Sequence, residues 1–146
     1  MPASWDEYFL SIARVTASKS KDPSTKVGAV IVRPDRTIVS VGYNGFPRGV
    51  ADTPERLHDR PTKYSLVVHA EMNAILSARE SLNKYTLYTV PFMPCDRCFM
   101  HIIQAGIRKV VFPPATPEQN ERWGKAFETV RALARETNIE LVEYMP

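Results

Sequence analysis

The chain has 146 residues, 44% of them hydrophobic and 24% charged, which is the size and composition of one globular domain over residues 1–146 and excludes disordered, collagen-like and coiled-coil classes. No apolar run approaches the roughly 20 residues of a membrane span, and the N-terminus MPASWDEYF lacks a basic region followed by an apolar one, so a soluble, cytoplasmic protein with no membrane partner is the expectation. A net charge of +3 falls well short of the concentrated basic face of a polynucleotide binder and leaves small anionic molecules as the expected partners.

Ser4 can cap a first helix in which Trp5, Tyr8, Phe9, Ile12, Ala13 and Val15 recur at helical spacing, ending before Asp22-Pro23. Two apolar runs, Val27 to Val32 and Thr37 to Tyr43, flank the turn residues Pro34-Asp35 and predict an antiparallel hairpin. Asn44 to Tyr64 reads as a long irregular stretch, of the kind that carries function more often than not. Ser65 to Val68 is strand-like, and Ala70 to about Glu80 is helical. Thr86 to Val90 is a strand, Asp96 to Gln104 a helix stopped by Gly106, and Lys109 to Phe112 a buried strand. A helix from Pro117 to Thr137 and a strand from Ile139 to Glu143 complete the chain. The order αββαβαβαβ, with helices long enough for right-handed crossovers, predicts an α/β fold with a single five-stranded mixed sheet covered by helices, its last two strands parallel.

The chain has two cysteines, Cys95 and Cys98 in PCDRC, too few for a disulfide scaffold. An intracellular Cys-x-x-Cys points to metal or redox chemistry. A thioredoxin-type reading places such a pair after the first strand of a βαβ unit and leaves His69 and Glu71 without a role. His69-Ala70-Glu71 and Pro94 to Cys98 each fall at a predicted helix start, where exposed amides favour thiolate and spacing i, i+3 sets both sulfurs on one face. Two thiolates and one imidazole suit Zn²⁺, and three protein ligands in place of four leave a position for water, whose pKa a bound zinc brings to roughly 7. Glu71, two residues from a ligand, then serves as proton shuttle. His-x-Glu with Pro-Cys-x-x-Cys is a signature of zinc nucleobase deaminases. His58 and His101 read as loop and helix-surface residues. Trp123 reads as packing for the last helix in preference to closing over a pocket.

With these residues in place, the sequence resembles the cytidine and deoxycytidylate deaminase family, most closely its deoxycytidylate branch, over roughly Trp5 to Phe112. The resemblance rests on SKDPSTKVGAVIV from Ser20, GYNGFPRG from Gly42, TKY at Thr62 to Tyr64, HAEMNAI from His69, PCDRC and IIQAGIRKVVF from Ile102. It implies a three-layer α-β-α sandwich of the cytidine deaminase type, one Zn²⁺ per subunit on His69, Cys95 and Cys98, and Glu71 as catalytic acid/base. It implies Asn44 as the partner of the sugar 3′-hydroxyl, Ala70 as a small residue framing the base, and Lys19, Lys21 and Ser24 as contacts of the 5′-phosphate. The implied reaction is deamination of dCMP to dUMP and ammonia, feeding thymidylate synthesis, in a homo-oligomer (tetramer or hexamer) with dCTP and dTTP as possible effectors. Residues Pro113 to Phe127 depart from the family pattern, which keeps a modified deoxycytidylate, dCTP, cytidine or a base such as guanine as alternative substrates. A non-catalytic zinc-binding regulatory module is the reading from another class, and the retained Glu71 speaks against it.

Overall fold

The computed structural model describes residues 1–146. Helix α1 (Trp5–Ala17) starts where the Ser4 hydroxyl accepts a hydrogen bond from the Glu7 amide at 3.1 Å, satisfying a donor that the first turn leaves without a partner. Its buried residues are Phe9, Leu10, Ala13 and Ala17. Of the residues read at helical spacing, Phe9 and Ala13 are buried and Ile12 partly so, while Trp5, Tyr8 and Val15 are exposed, because the buried face runs through Leu10 and Ala17 instead. Strands β1 (Gly28–Val32) and β2 (Ile38–Tyr43) form the expected antiparallel hairpin. In its turn the Asp35 carboxylate accepts from the Thr37 amide, and Arg36 takes the left-handed conformation.

Between β2 and the next long helix, the stretch read as irregular contains two short helices, α2 (Pro54–His58) and α3 (Arg60–Leu66). Their prolines look like breakers in sequence, but Pro54 and Pro61 stand in first helical turns, where a missing N–H costs nothing, and Thr53 and Asp59 cap them. The strand-like run is corrected for the same reason. Ser65 and Leu66 close α3, and only Val68 pairs, in a single bridge to Gly45.

Helix α4 (Ala70–Ala78), strand β3 (Thr86–Val90), helix α5 (Asp96–Ala105), strand β4 (Lys109–Phe112), helix α6 (Pro117–Thr137) and strand β5 (Glu140–Glu143) complete the chain. The sheet order is β2-β1-β3-β4-β5, with β1–β3 antiparallel and β3–β4 and β4–β5 parallel. Strand alternation divides the interior in two. Ala29 and Ile31 face a core shared with α4, α5 and α6, while Val30 and Val32 face a smaller one covered by α1. The result is the expected three-layer α-β-α sandwich. Phe99 of α5 and Phe127 of α6 are fully buried in the larger core, each contributing about 1.5–3 kcal/mol by burial. No helix is long and apolar enough to cross a membrane.

At Gly42 the sheet and α4 meet without room for a side chain. A Cβ there would collide with the Ala70 carbonyl and the Ala74 amide. Strand β2 therefore lies directly on the first turn of α4, and that contact sets where α4 begins.

Candidate active site

Two helix starts converge. His69 is the N-cap of α4 and Cys95 the N-cap of α5, both in extended backbone conformation. Cys98 follows one turn into α5 and is buried. The His69 Nδ1 lies 3.2 Å from Cys98 Sγ and 3.5 Å from Cys95 Sγ, and the three donor atoms all fall within 4.8 Å of one another. A tetrahedral zinc, with Zn–S about 2.3 Å and Zn–N about 2.0 Å, needs donors roughly 3.5 Å apart, so the set fits this ion. Hydrogen bonding to Cys98, followed by contacts with the His69 ring and the Cys98 amide, holds the Cys95 thiol well below its ordinary pKa, at about 4. That direction favours the thiolate, the form a metal takes up.

Glu71 is 4% exposed, on the second residue of α4, and does not belong to the donor set. Its Oε2 accepts from the Thr89 hydroxyl of β3 at 3.1 Å. Burial pushes the Glu71 carboxyl above the usual carboxylate range. Burial therefore favours the protonated form of Glu71 more than it is favoured in a freely solvated glutamate. Thr89 is fully buried and went unrecognised in the sequence, where it is one more β-branched residue in an apolar strand.

A cavity of about 320 Å³ gathers these groups, of a size suited to a small molecule. His69, Ala70, Glu71 and Cys95 line it together with Ser24, Asn44, Lys63, Phe92, Arg122 and Trp123. The Asn44 amide is both donor and acceptor. Its Nδ2 donates to the Thr25 carbonyl and its Oδ1 accepts from the Val27 amide, each at 2.9 Å, which fixes the side chain and leaves one proton and one lone pair for another partner.

Of the three residues expected at a phosphate, only Ser24 reaches this cavity. Lys19 and Lys21 line a neighbouring one, across a partition of Asp22, Asn44 and Val67. The cause is local. α1 stops at Ala17, the Ser20 hydroxyl then donates to the Asn44 carbonyl at 2.9 Å, and Lys21 pairs with Asp52 at 3.0 Å, on the far side. The lysine that does enter is Lys63, 4% exposed, whose Nζ lies 3.3 Å from the Asp22 carboxylate. Trp123 packs as expected, its ring centroid 4.8 Å from that of Phe92, and also forms part of the cavity wall. His58 and His101 each bond a carbonyl of their own helix and stand outside the donor set.

The model of the cytidine and deoxycytidylate deaminase zinc-binding region matches residues 3–113. The chain is 40% identical over its full length to a protein of Aliivibrio fischeri described as an uncharacterized deaminase in the luxG 3′ region, covering 97% of it. It is 44% identical to the deoxycytidylate deaminase of Mus musculus over 74% of this chain, and spans 64% of that relative's length. Among solved structures, the dCMP deaminase of cyanophage S-TIM5 in complex with dCMP and dUMP superposes with a TM-score of 0.75 at 22% identity, covering 99% of each chain. That last likeness is one of fold.

Proposed function

The chain belongs to the cytidine and deoxycytidylate deaminase family, and from that premise we propose that it catalyses the hydrolysis of dCMP to dUMP and ammonia. The observation that carries the reaction type is the buried Glu71 beside, and not within, the His69, Cys95 and Cys98 set. The relatives named as deoxycytidylate deaminases support the choice of substrate.

His69 through Nδ1 and Cys95 and Cys98 through Sγ would hold the zinc, which would supply a Lewis acid able to make water a nucleophile near neutral pH. Glu71 carries the protons. It takes one from the attacking water, delivers it to N3 of the pyrimidine as C4 is attacked, and passes the second to the amino nitrogen as the C–N bond breaks. One water enters and one ammonia leaves. The Thr89 hydroxyl holds Glu71 Oε2, so the carboxyl keeps one orientation through both transfers. Ala70, fully buried at the cavity wall, brings its backbone close to the base, and Asn44 offers its remaining proton and lone pair to the sugar hydroxyl.

The same reading makes the protein a cytoplasmic homo-oligomer with dCTP and dTTP as effectors. Association is supported by Leu76 of α4, which is 64% exposed, next to the exposed Val41 and Tyr43 of β2. The test is a panel of dCMP, dCTP, deoxycytidine, cytosine and guanine, with and without dCTP and dTTP, alongside light scattering. Turnover led by dCMP supports the proposal; turnover confined to a free base overturns it.

A further inference from the structure

Two cations line the cavity, and their surroundings differ. Lys63 is buried and balanced by Asp22, whose carboxylate also accepts the Ser24 and Thr25 amides. Arg122 has no carboxylate within ion-pair distance among the salt bridges of the chain. Its guanidinium instead lies 4.5 Å from the centre of the Trp123 ring and donates through Nη2 to the Tyr64 hydroxyl at 3.4 Å. Trp123 is braced in turn by Phe92, and Phe92 by the buried Phe127, with centroids 5.5 Å apart. The guanidinium is thus held against an aromatic shelf on the cavity wall, its charge unbalanced and most of its donors uncommitted.

Such a group suits a phosphate monoester. The planar fork matches two phosphate oxygens, and prior stacking lowers the rotamer freedom lost on binding. Lys63 is the weaker candidate, because a dianion drawn to it also meets the Asp22 carboxylate. Arg122 lies in α6, beyond the residues 3–113 that match the family model, so this wall comes from a part of the chain separate from the donor set.

We propose that Arg122, stacked on Trp123 and bonded to Tyr64, is a specificity-determining residue that binds the 5′-phosphate of the nucleotide. The assignment rests on the dCMP reading above. The test compares wild type, Arg122→Ala and Arg122→Lys on dCMP and deoxycytidine, which differ only in the phosphate, together with calorimetric titration of dUMP and deoxyuridine. Arg122→Ala is expected to raise KM for dCMP and weaken dUMP binding by about tenfold or more, the scale of a charge-assisted hydrogen bond. The preference for dCMP over deoxycytidine falls by the same factor. Arg122→Lys, which keeps the charge and loses the fork, recovers part of it. Because Arg122 is exposed, the variants retain the fold. If wild type turns over dCMP while Arg122→Ala leaves the preference unchanged, or weakens nucleotide and nucleoside equally, the Arg122 assignment is wrong and the reaction stands. A wild type inactive on dCMP overturns both.

Discussion

The helices of this protein begin in two ways. α1, α2, α3 and α6 start at Ser4, Thr53, Asp59 and Thr116, each of which accepts a hydrogen bond from a first-turn amide, and at α6 Gln119 completes a capping box. α4 and α5 start at His69, which makes no capping bond, and at Cys95, whose sulfur accepts the Cys98 amide at 3.4 Å. Sulfur is a weak acceptor and histidine is not among the favoured caps. Where the other helices spend the N-cap position on their own stability, these two give it to a residue of the proposed donor set. Their starts are held instead by packing, at Gly42 against Ala70 and through the buried faces of α4 and α5.

The comparison can be broken by giving α4 a better cap. His69→Asn should remove a donor, lowering zinc affinity and turnover by at least about 100-fold, while the zinc-free protein is no less stable than zinc-free wild type, because Asn is a favoured N-cap. Zinc content by atomic absorption and melting in chelator check both halves. A clear loss of zinc-free stability would mean that His69 is structural.

Gly42→Ala tests the packing that stands in for a cap. The added methyl must push β2 from α4, an overpacking that costs about 1–3 kcal/mol, and because the displaced turn carries His69, zinc affinity should fall with stability. Denaturation and zinc titration of one preparation measure the pair, and a lower midpoint with unchanged zinc affinity would separate the two. The smallest effect belongs to an ordinary helix start. Ser4→Ala should cost about 1 kcal/mol in urea denaturation and leave zinc content and turnover at wild-type values, since α1 lies across the sheet from the donor set.

What the sequence makes legible follows the range of the interactions. The hairpin and the parallel strands are readable because VGAVIV and KVVF are apolar runs bounded by turn residues. The donor set is readable because its chemistry sits in two short motifs. The prolines of α2 and α3 conceal helices, since the same residue breaks a helix interior and suits a first turn. Thr89, Lys63 and Arg122 are concealed for a different reason. Each acquires its role from a partner far along the chain, Thr89 from Glu71, Lys63 from Asp22 and Arg122 from Tyr64. Lys19 and Lys21, close in sequence to Ser24, are turned into another cavity by one serine contact to the Asn44 carbonyl. Proximity along the chain suggests these lysines for an anion, and the fold sets them in a cavity neighbouring the one that holds His69 and Glu71.

The central claim is that the donor set and the proton carrier are separate groups in one cavity. Glu71→Gln separates them: it keeps the size of the side chain and the carbonyl oxygen that Thr89 can bond, and removes the titratable carboxyl that takes up and releases a proton. Zinc content and dCMP turnover measured on the same purified sample test this most directly. The account predicts wild-type zinc, about one per chain, with turnover reduced by about 100-fold to 10,000-fold, the range for a lost general acid–base. Wild-type turnover in this variant, or loss of the zinc itself, would contradict it.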